Sequence, residues 1–230
     1  MSGDGRQRGV IRLGAGAAGP RLREASGTVE TPRNEGVAAR RTVELTRSTP
    51  AARITSRGAL QVNLNWSAAS HADLDLGCLV RTRDGRGTAI QPLGEAFGSL
   101  TEWPYVSLDQ DDRTGSSSDG ETLRVSLEHR NKFSKLLVYV YVYEGAVDFR
   151  HLRGVVTVTA PDGEWHIRLD DSPKGATACA IAMLTPGDRS LDLRREVVWF
   201  TPHLFRTHQQ QIDTAYGFGF EWRYGRKSAR

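Results

Sequence analysis

The chain has 230 residues, 38% of them hydrophobic and 25% charged, with a formal net charge of +4. This composition suits a soluble globular chain with apolar material for one core and an appended tail. No apolar run approaches the roughly 20 residues that cross a bilayer, so no transmembrane segment is expected. The opening stretch MSGDGRQRGVIRLGAGAAG carries arginines but no continuous apolar run, so it does not read as a secretory signal, and a cytoplasmic location is expected.

Residues 1–40 contain no Phe, Trp or Tyr and hold seven arginines against Asp4, Glu24, Glu30 and Glu35. Such a Gly/Ala/Arg-rich segment cannot bury enough apolar surface to offset its ordering entropy, and it is expected to be a disordered basic tail. It is either a solvated leader or an attractor of nucleic acid or anionic lipid without sequence specificity.

The character changes after Arg41, and residues 41–230 read as the folded domain. In RTVELT, Val43 and Leu45 lie on one side of an expected edge strand. In LQVNLNW, Leu60, Val62, Leu64 and Trp66 alternate with Gln61, Asn63 and Asn65, the period of a half-buried strand. DLDLGCLVRT follows, with Leu74, Leu76, Cys78 and Val80 on its apolar side, and Asp84-Gly85-Arg86-Gly87 signals a tight hairpin turn. Further strands are expected at TLRVSL, at GVVTVTA and EWHIRLD joined by Pro161-Asp162-Gly163, at TACAIAML and at LRREVVWF. KLLVYVYVYEG is apolar on both faces and belongs at the centre of a sheet covered on both sides. One helix is expected, from about Pro202 to Tyr216 and ending at Gly217. These elements predict an all-β fold, a two-sheet β-sandwich with one short C-terminal helix and a disordered N-terminal tail. Cys78 and Cys179 sit in apolar strand-like runs and are expected to be reduced, buried thiols.

Chemistry concentrates in Asp109–Glu121, DQDDRTGSSSDGE, where Asp109, Asp111, Asp112, Asp119 and Glu121 face a single base, Arg113. Calcium takes six to eight oxygens in a tolerant geometry, and Gly/Ser loops let backbone carbonyls complete such a shell. Magnesium is stricter, and no thiolate or histidine accompanies the loop to suit zinc or copper. The spacing does not match an EF-hand, so a solvated mobile loop is the competing reading. Asp73 and Asp75 form a second acidic pair on one strand face, opposite Leu74 and Leu76. That face is either solvent-exposed or the wall of a cation site shared with the long loop.

VNLNW, ADLDL, DDRTG, DGETLRVSL and LLVYVYVYEG, in that order, resemble the TerD domain of bacterial tellurium-resistance proteins. CAIAML, RREVVWF and IDTAYGFGFEW are similar to the TerA-type branch, and the resemblance covers about residues 42–225. It implies a calcium-binding β-sandwich that acts in a stress response as a non-catalytic binding or scaffold module. Its implied calcium ligands are Asp73, Asp75, Asp111, Asp112, Asp119 and Glu121. Implied partners are calcium and other tellurium-resistance proteins, with the chain cytoplasmic or peripheral at the inner membrane surface. Gln110 replaces the glycine of many members, and the segment from Thr114 to Glu121 is shorter and richer in serine, so one strong site at most is expected.

Three function classes are weighed: the calcium-binding stress module, a calcium-dependent membrane-surface module, and a glycan-binding or hydrolytic sandwich using Asp73, Asp75 and Glu121. Catalysis is not expected. The histidines at 71, 129, 151, 166, 203 and 208 show no i, i+4 pair, and Ser116 to Ser118 lack a G-x-S-x-G elbow. GAGAAG in the tail follows no strand and is no dinucleotide fingerprint, and specific nucleic-acid binding is not expected. The tryptophans and Tyr139, Tyr141 and Tyr143 are expected mainly in the core, with Trp103 and Trp222 partly exposed.

Overall fold

The computed structural model describes residues 41–67, 72–109, 121–146 and 148–222. The basic tail, His71 and the acids Asp111, Asp112 and Asp119 lie outside the described residues. The described chain forms two sheets. The first contains β1 (Thr42–Glu44), β3 (Ala59–Asn65), β6 (Gly98–Ser99), β7 (Val106–Leu108), β8 (Glu121–Ser126), β10 (Gly154–Ala160) and β11 (Gly163–Leu169). Its order is β1-β11-β10-β3-β8-β7-β6. The second contains β2 (Ala51–Ile54), β4 (Asp73–Thr82), β5 (Gly87–Ile90), β9 (Phe133–Glu144), β12 (Ala178–Pro186) and β13 (Leu191–Phe200), ordered β2-β13-β12-β9-β4-β5. The expected sandwich is therefore observed.

The hydrophobic patterns explain the layering. In β3, β10 and β11 burial alternates residue by residue, because the first sheet has one face on the core and one toward solvent. Strands β4, β9 and β12 are buried along most of their length on both faces. Their inner side chains, among them Leu76, Val80, Val138 and Ile181, join the inter-sheet core. Their outer ones, Leu79, Leu137, Tyr139, Tyr141 and Ala180, form a second cluster with Ile212 and Phe218. The two-faced strand expected at KLLVYVYVYEG is β9, which pairs with β4 and β12.

The outer cluster is covered by helix α1 (His208–Tyr216) and the stretch behind it. The helix is shorter than the expected Pro202–Tyr216. It starts at the capping box of Thr207 and Gln210, which satisfies backbone donors at both positions. Proline is common at a helix start but satisfies no backbone donor there, and Pro202 instead opens an exposed loop, which also moves His203 off the helix. The expected stop holds: Gly217 takes the left-handed conformation, φ 62°. Behind it, the buried Asp213 carboxylate accepts from Gly219 N at 2.6 Å, Phe220 N at 2.8 Å and Trp222 Nε1 at 2.7 Å. Lys135 Nζ donates to the carbonyls of Tyr216 (2.6 Å) and Gly217 (3.0 Å), and lies 4.3 Å from the Phe218 ring centre. A bulge between β12 and β13 at Ala180/Ala182 precedes the opposing Glu196, whose Oε2 accepts from Tyr216 Oη at 3.1 Å.

Candidate metal centre

The implied ligands that are described, Asp73, Asp75 and Glu121, lie at one end of the sandwich. Asp73 and Asp75 open β4, and Glu121 opens β8 in the opposite sheet, at the point where the acidic segment re-enters the fold. Neither aspartate lies on a solvent face: Asp73 is 8% exposed and Asp75 0%, and Glu121 is 1% exposed. Of the two expectations for that face, solvent is excluded. Alternation turns Asp75 to the outer side of the sheet, where Tyr141 stands directly opposite on β9 and donates its hydroxyl to Asp75 Oδ2. Glu121 Oε2 accepts the Leu76 backbone N–H, one residue along from Asp75, so carboxylates from both sheets border one stretch of β4.

The electrostatics agree with that proximity. Burial first, and then the Asp75 carboxylate, raise the Tyr141 phenol far above its ordinary range, with Glu121 adding to the effect. Tyr141 therefore remains a protonated donor. Sequence reading assigned it to core packing, and only the Asp75–Tyr141 register reveals its role. The Tyr141→Phe variant leaves a buried carboxylate without this donor and is expected to lose about 1–3 kcal/mol of stability, read from urea denaturation.

At the base of the acidic segment, Asp109 N donates to the Thr122 carbonyl at 2.8 Å, and Arg124 pairs with the Asp109 carboxylate. Asp109 is thus neutralised by a neighbouring strand, while Asn63 on β3 donates to Thr122 Oγ1 at 3.0 Å. Among the described residues, no group of three or more His, Cys, Asp or Glu side chains is placed to hold a metal ion. The described donors, all carboxylate oxygens, are of the hard kind that calcium selects.

His208, the first residue of α1, packs beside this site with its ring 6.3 Å from that of Tyr141, and its Nε2 lies 3.2 Å from Thr177 Oγ1. Burial lowers its pKa below 6.5. The unfolded chain thus binds the proton more readily, so this contribution to stability is full above about pH 6.5 and declines as pH falls toward the folded value. Thermal melts from pH 7.5 to 5 should show His208→Gln losing less stability on acidification than the parent. An equal loss would remove His208 as a source of the acid sensitivity.

No protein-family model matches the chain. The chain is 32% identical over 203 residues to the tellurium resistance protein TerA of an Alcaligenes species, a match covering 80% of this chain and 58% of that protein. It therefore spans little more than half the length of this curated relative. Among solved structures, a homologue of telluride resistance protein (TerD) from Streptomyces coelicolor A3(2) aligns with 65% of this chain and 94% of its own. Its TM-score is 0.49 and its identity 20%. The protein of unknown function SAV2460 aligns over 64% of this chain and 92% of its own, with TM-score 0.50 and 13% identity, a likeness of fold alone. On the sequence identity to TerA, carried across most of its residues, this chain is a relative of the tellurium-resistance proteins.

Proposed function

We propose that the chain is a calcium-binding, non-catalytic module of a tellurium-type stress response, which presents an ordered acidic surface to partner proteins of the same system. The observation that supports this reading most is the burial of Asp73, Asp75 and Glu121 at the mouth of the acidic segment. Buried carboxylates of one sign repel one another and lose hydration, and a divalent cation relieves both costs. Bound calcium would supply positive charge and tie Asp111, Asp112 and Asp119 to the strand acids. Tyr141 would hold Asp75 in one orientation, and Glu121 would be steadied by the Leu76 N–H.

Burial pushes both the Cys78 and Cys179 thiols up, which keeps them protonated and poor nucleophiles toward tellurium oxyanions. Any resistance is accordingly expected to be indirect.

Calorimetric titration of chelator-treated protein tests the calcium reading. A dissociation constant on the order of micromolar is expected, with magnesium a poor competitor. Asp111→Ala and Asp75→Asn should each weaken binding at least about tenfold. Absence of heat, together with no rise in melting temperature at millimolar calcium, would reject it.

A second reading, a calcium-dependent membrane-surface module, is favoured by one specific feature. The loop from Thr201 to Thr207 carries Leu204, 92% exposed, and Phe205, 84% exposed, beside Arg206. It leaves the end of β13, where Phe200 pairs with Ala178 and Ala178 with Tyr141, so it stands at the same end as the carboxylates. Two neighbouring apolar side chains beside a cation suit the boundary between headgroups and acyl chains. Among the described residues no helix is long and apolar enough to cross a membrane, so attachment would be peripheral, as at an inner-membrane surface. Pelleting with phosphatidylserine vesicles should retain the parent with calcium and lose the Leu204→Ser/Phe205→Ser variant. Retention that ignores both calcium and the substitutions would dismiss this reading.

A further inference from the structure

We propose that the opposite end of the sandwich is a binding site for a diphosphate-type anion, chelated by Arg83 and Arg189. A cleft of about 620 Å³ opens there between the loops after β2 and β4, the 3-10 segment Leu127–Lys132 and the turn from β12 to β13. That volume lies within the usual range of small-molecule sites, roughly 300–1,000 Å³. The charged side chains lining it are Arg57, Arg83, Arg130, Arg189, Glu128 and Asp188.

The partners of these groups separate structural from available charge. Glu128 is occupied by Arg57, whose Nε lies 2.9 Å from Oε2, and by the Gly58 N–H at 3.1 Å. Arg130 is fixed by carbonyls: Nε donates to Leu127 (3.0 Å), Nη1 to Thr55 (3.2 Å) and Arg189 (3.1 Å), and Nη2 to Ser56 (2.7 Å). Carbonyls orient its guanidinium without cancelling its charge, so a held positive charge borders the cleft. Arg83 commits only Nε, to the Phe133 carbonyl at 3.1 Å. Among the described residues, the Nη atoms of Arg83 and the whole Arg189 guanidinium have no hydrogen-bond or ion-pair partner. Among the described lining residues, Asp188 is the one acid besides Glu128.

Backbone geometry at Arg189 adds an independent observation. It adopts φ 58°, a left-handed conformation unfavourable for a residue with a Cβ, in a turn closed by Gly187 N to the Ser190 carbonyl at 3.1 Å. Such strain tends to persist where it places a side chain for use. Here it accompanies a guanidinium on the rim of the cleft.

Two forked guanidinium groups beside a third fixed charge match an anion with several oxygens and more than one charge, which a single carboxylate is not. Among the described residues no aromatic ring lines the cleft, so a nucleobase would gain no stacking platform there. The recognised unit is therefore the diphosphate itself, whether free or carried by a nucleotide.

The test uses the full chain in chelator, which separates it from calcium binding and from any failure of that reading. Calorimetry with inorganic pyrophosphate at low salt should show one saturable site of sub-millimolar affinity, with ADP within about threefold of it. The Arg83→Ala/Arg189→Gly variant, whose glycine accepts the left-handed turn, should bind about 100-fold more weakly while remaining folded, with only the small loss of stability due to the Arg83–Phe133 bond. Asp188→Asn should tighten binding several-fold. No saturable heat at about 10 mM pyrophosphate, or equal affinity in the double variant, would overturn the proposal. A single-stranded oligonucleotide binding far more tightly than pyrophosphate would overturn it in favour of a nucleic-acid surface.

Discussion

Replacing Gly77 by alanine is expected to lower the unfolding free energy by about 3 kcal/mol, because the new methyl group would have to share space with a buried ring. Gly77 lies on β4 directly opposite Tyr139 on β9, on the face that carries Asp75 and Leu79. A Cβ built at Gly77 falls 2.6 Å from Tyr139 Oη and 2.8 Å from Cε2. Tyr139 cannot easily yield. It is fully buried, its hydroxyl donates to Gln91 Oε1 at 2.8 Å, and the ring is packed under Ile212 and Phe218. Overpacking of this kind costs about 1–3 kcal/mol, and displacing the hydroxyl from Gln91 adds about 1 kcal/mol. Urea denaturation would measure the loss as a shift in midpoint at constant slope. Shrinking the opposing side chain, in Gly77→Ala/Tyr139→Leu, should recover part of it, since contacting residues are not additive. If Gly77→Ala melts like the parent, the glycine is not there to admit the ring.

The second large effect is expected at Asp213, whose carboxylate gathers two backbone N–H groups and the Trp222 indole. Asp213→Ala removes three charge-assisted hydrogen bonds at a buried position and is expected to cost about 3 kcal/mol, short of the sum of three because the freed donors regain water. The consequence is local before it is global. The stretch from Gly217 to Trp222 should detach, baring Leu137, Tyr139 and Tyr141, the outer cluster it helps to cover. Increased dye binding, a red shift in tryptophan emission and proteolysis near Phe218 would report the opening. Trp222→Phe deletes one of the three bonds and should cost about 1 kcal/mol. Because Tyr141 also holds Asp75, opening should weaken calcium binding in the same variant without touching a proposed ligand.

The Asp213 cluster explains the Tyr216-Gly217-Phe218-Gly219-Phe220 run in physical terms. Gly217 and Gly219 both take positive φ, at 62° and 69°, which lets the chain reverse tightly around the carboxylate while its aromatics turn inward and meet Lys135 and Arg81. The composition of this run marks a turn after a helix. That an aspartate four residues upstream of Gly217 organises it depends on the helix bringing the carboxylate back beneath its own end, which no linear pattern displays.

Much of the fold was legible because alternation is a local consequence of the strand backbone. Leu60 to Trp66 could be read as half-buried, and Leu136 to Tyr143 as covered on both sides, from side-chain type alone. The short strands Ala51–Ile54 and Val106–Leu108 are too brief for a period to emerge, whereas Gly87–Ile90 follows the hairpin turn expected at Asp84–Gly87. The helix start was misplaced because a proline is permissive there, whereas the Thr207–Gln210 pair satisfies real donors. Of the candidate site, the residue types were legible: carboxylates in a Gly/Ser segment and an Asp-x-Asp pair on a strand. Their environment was not. Asp75 lies buried only because α1 and the residues after it cover the outer face of the second sheet, and its partner Tyr141 lies 66 positions away in sequence. Likewise nothing in the sequence joins Arg83 to Arg189, which come together only when four separate segments fold around one cleft. Local patterning thus determined the strand content and the sandwich class, since each strand's burial is written in its own period. Which carboxylates and which guanidinium groups share a site was decided by the tertiary structure, because long-range pairing sets those distances and no residue's neighbours in sequence report them.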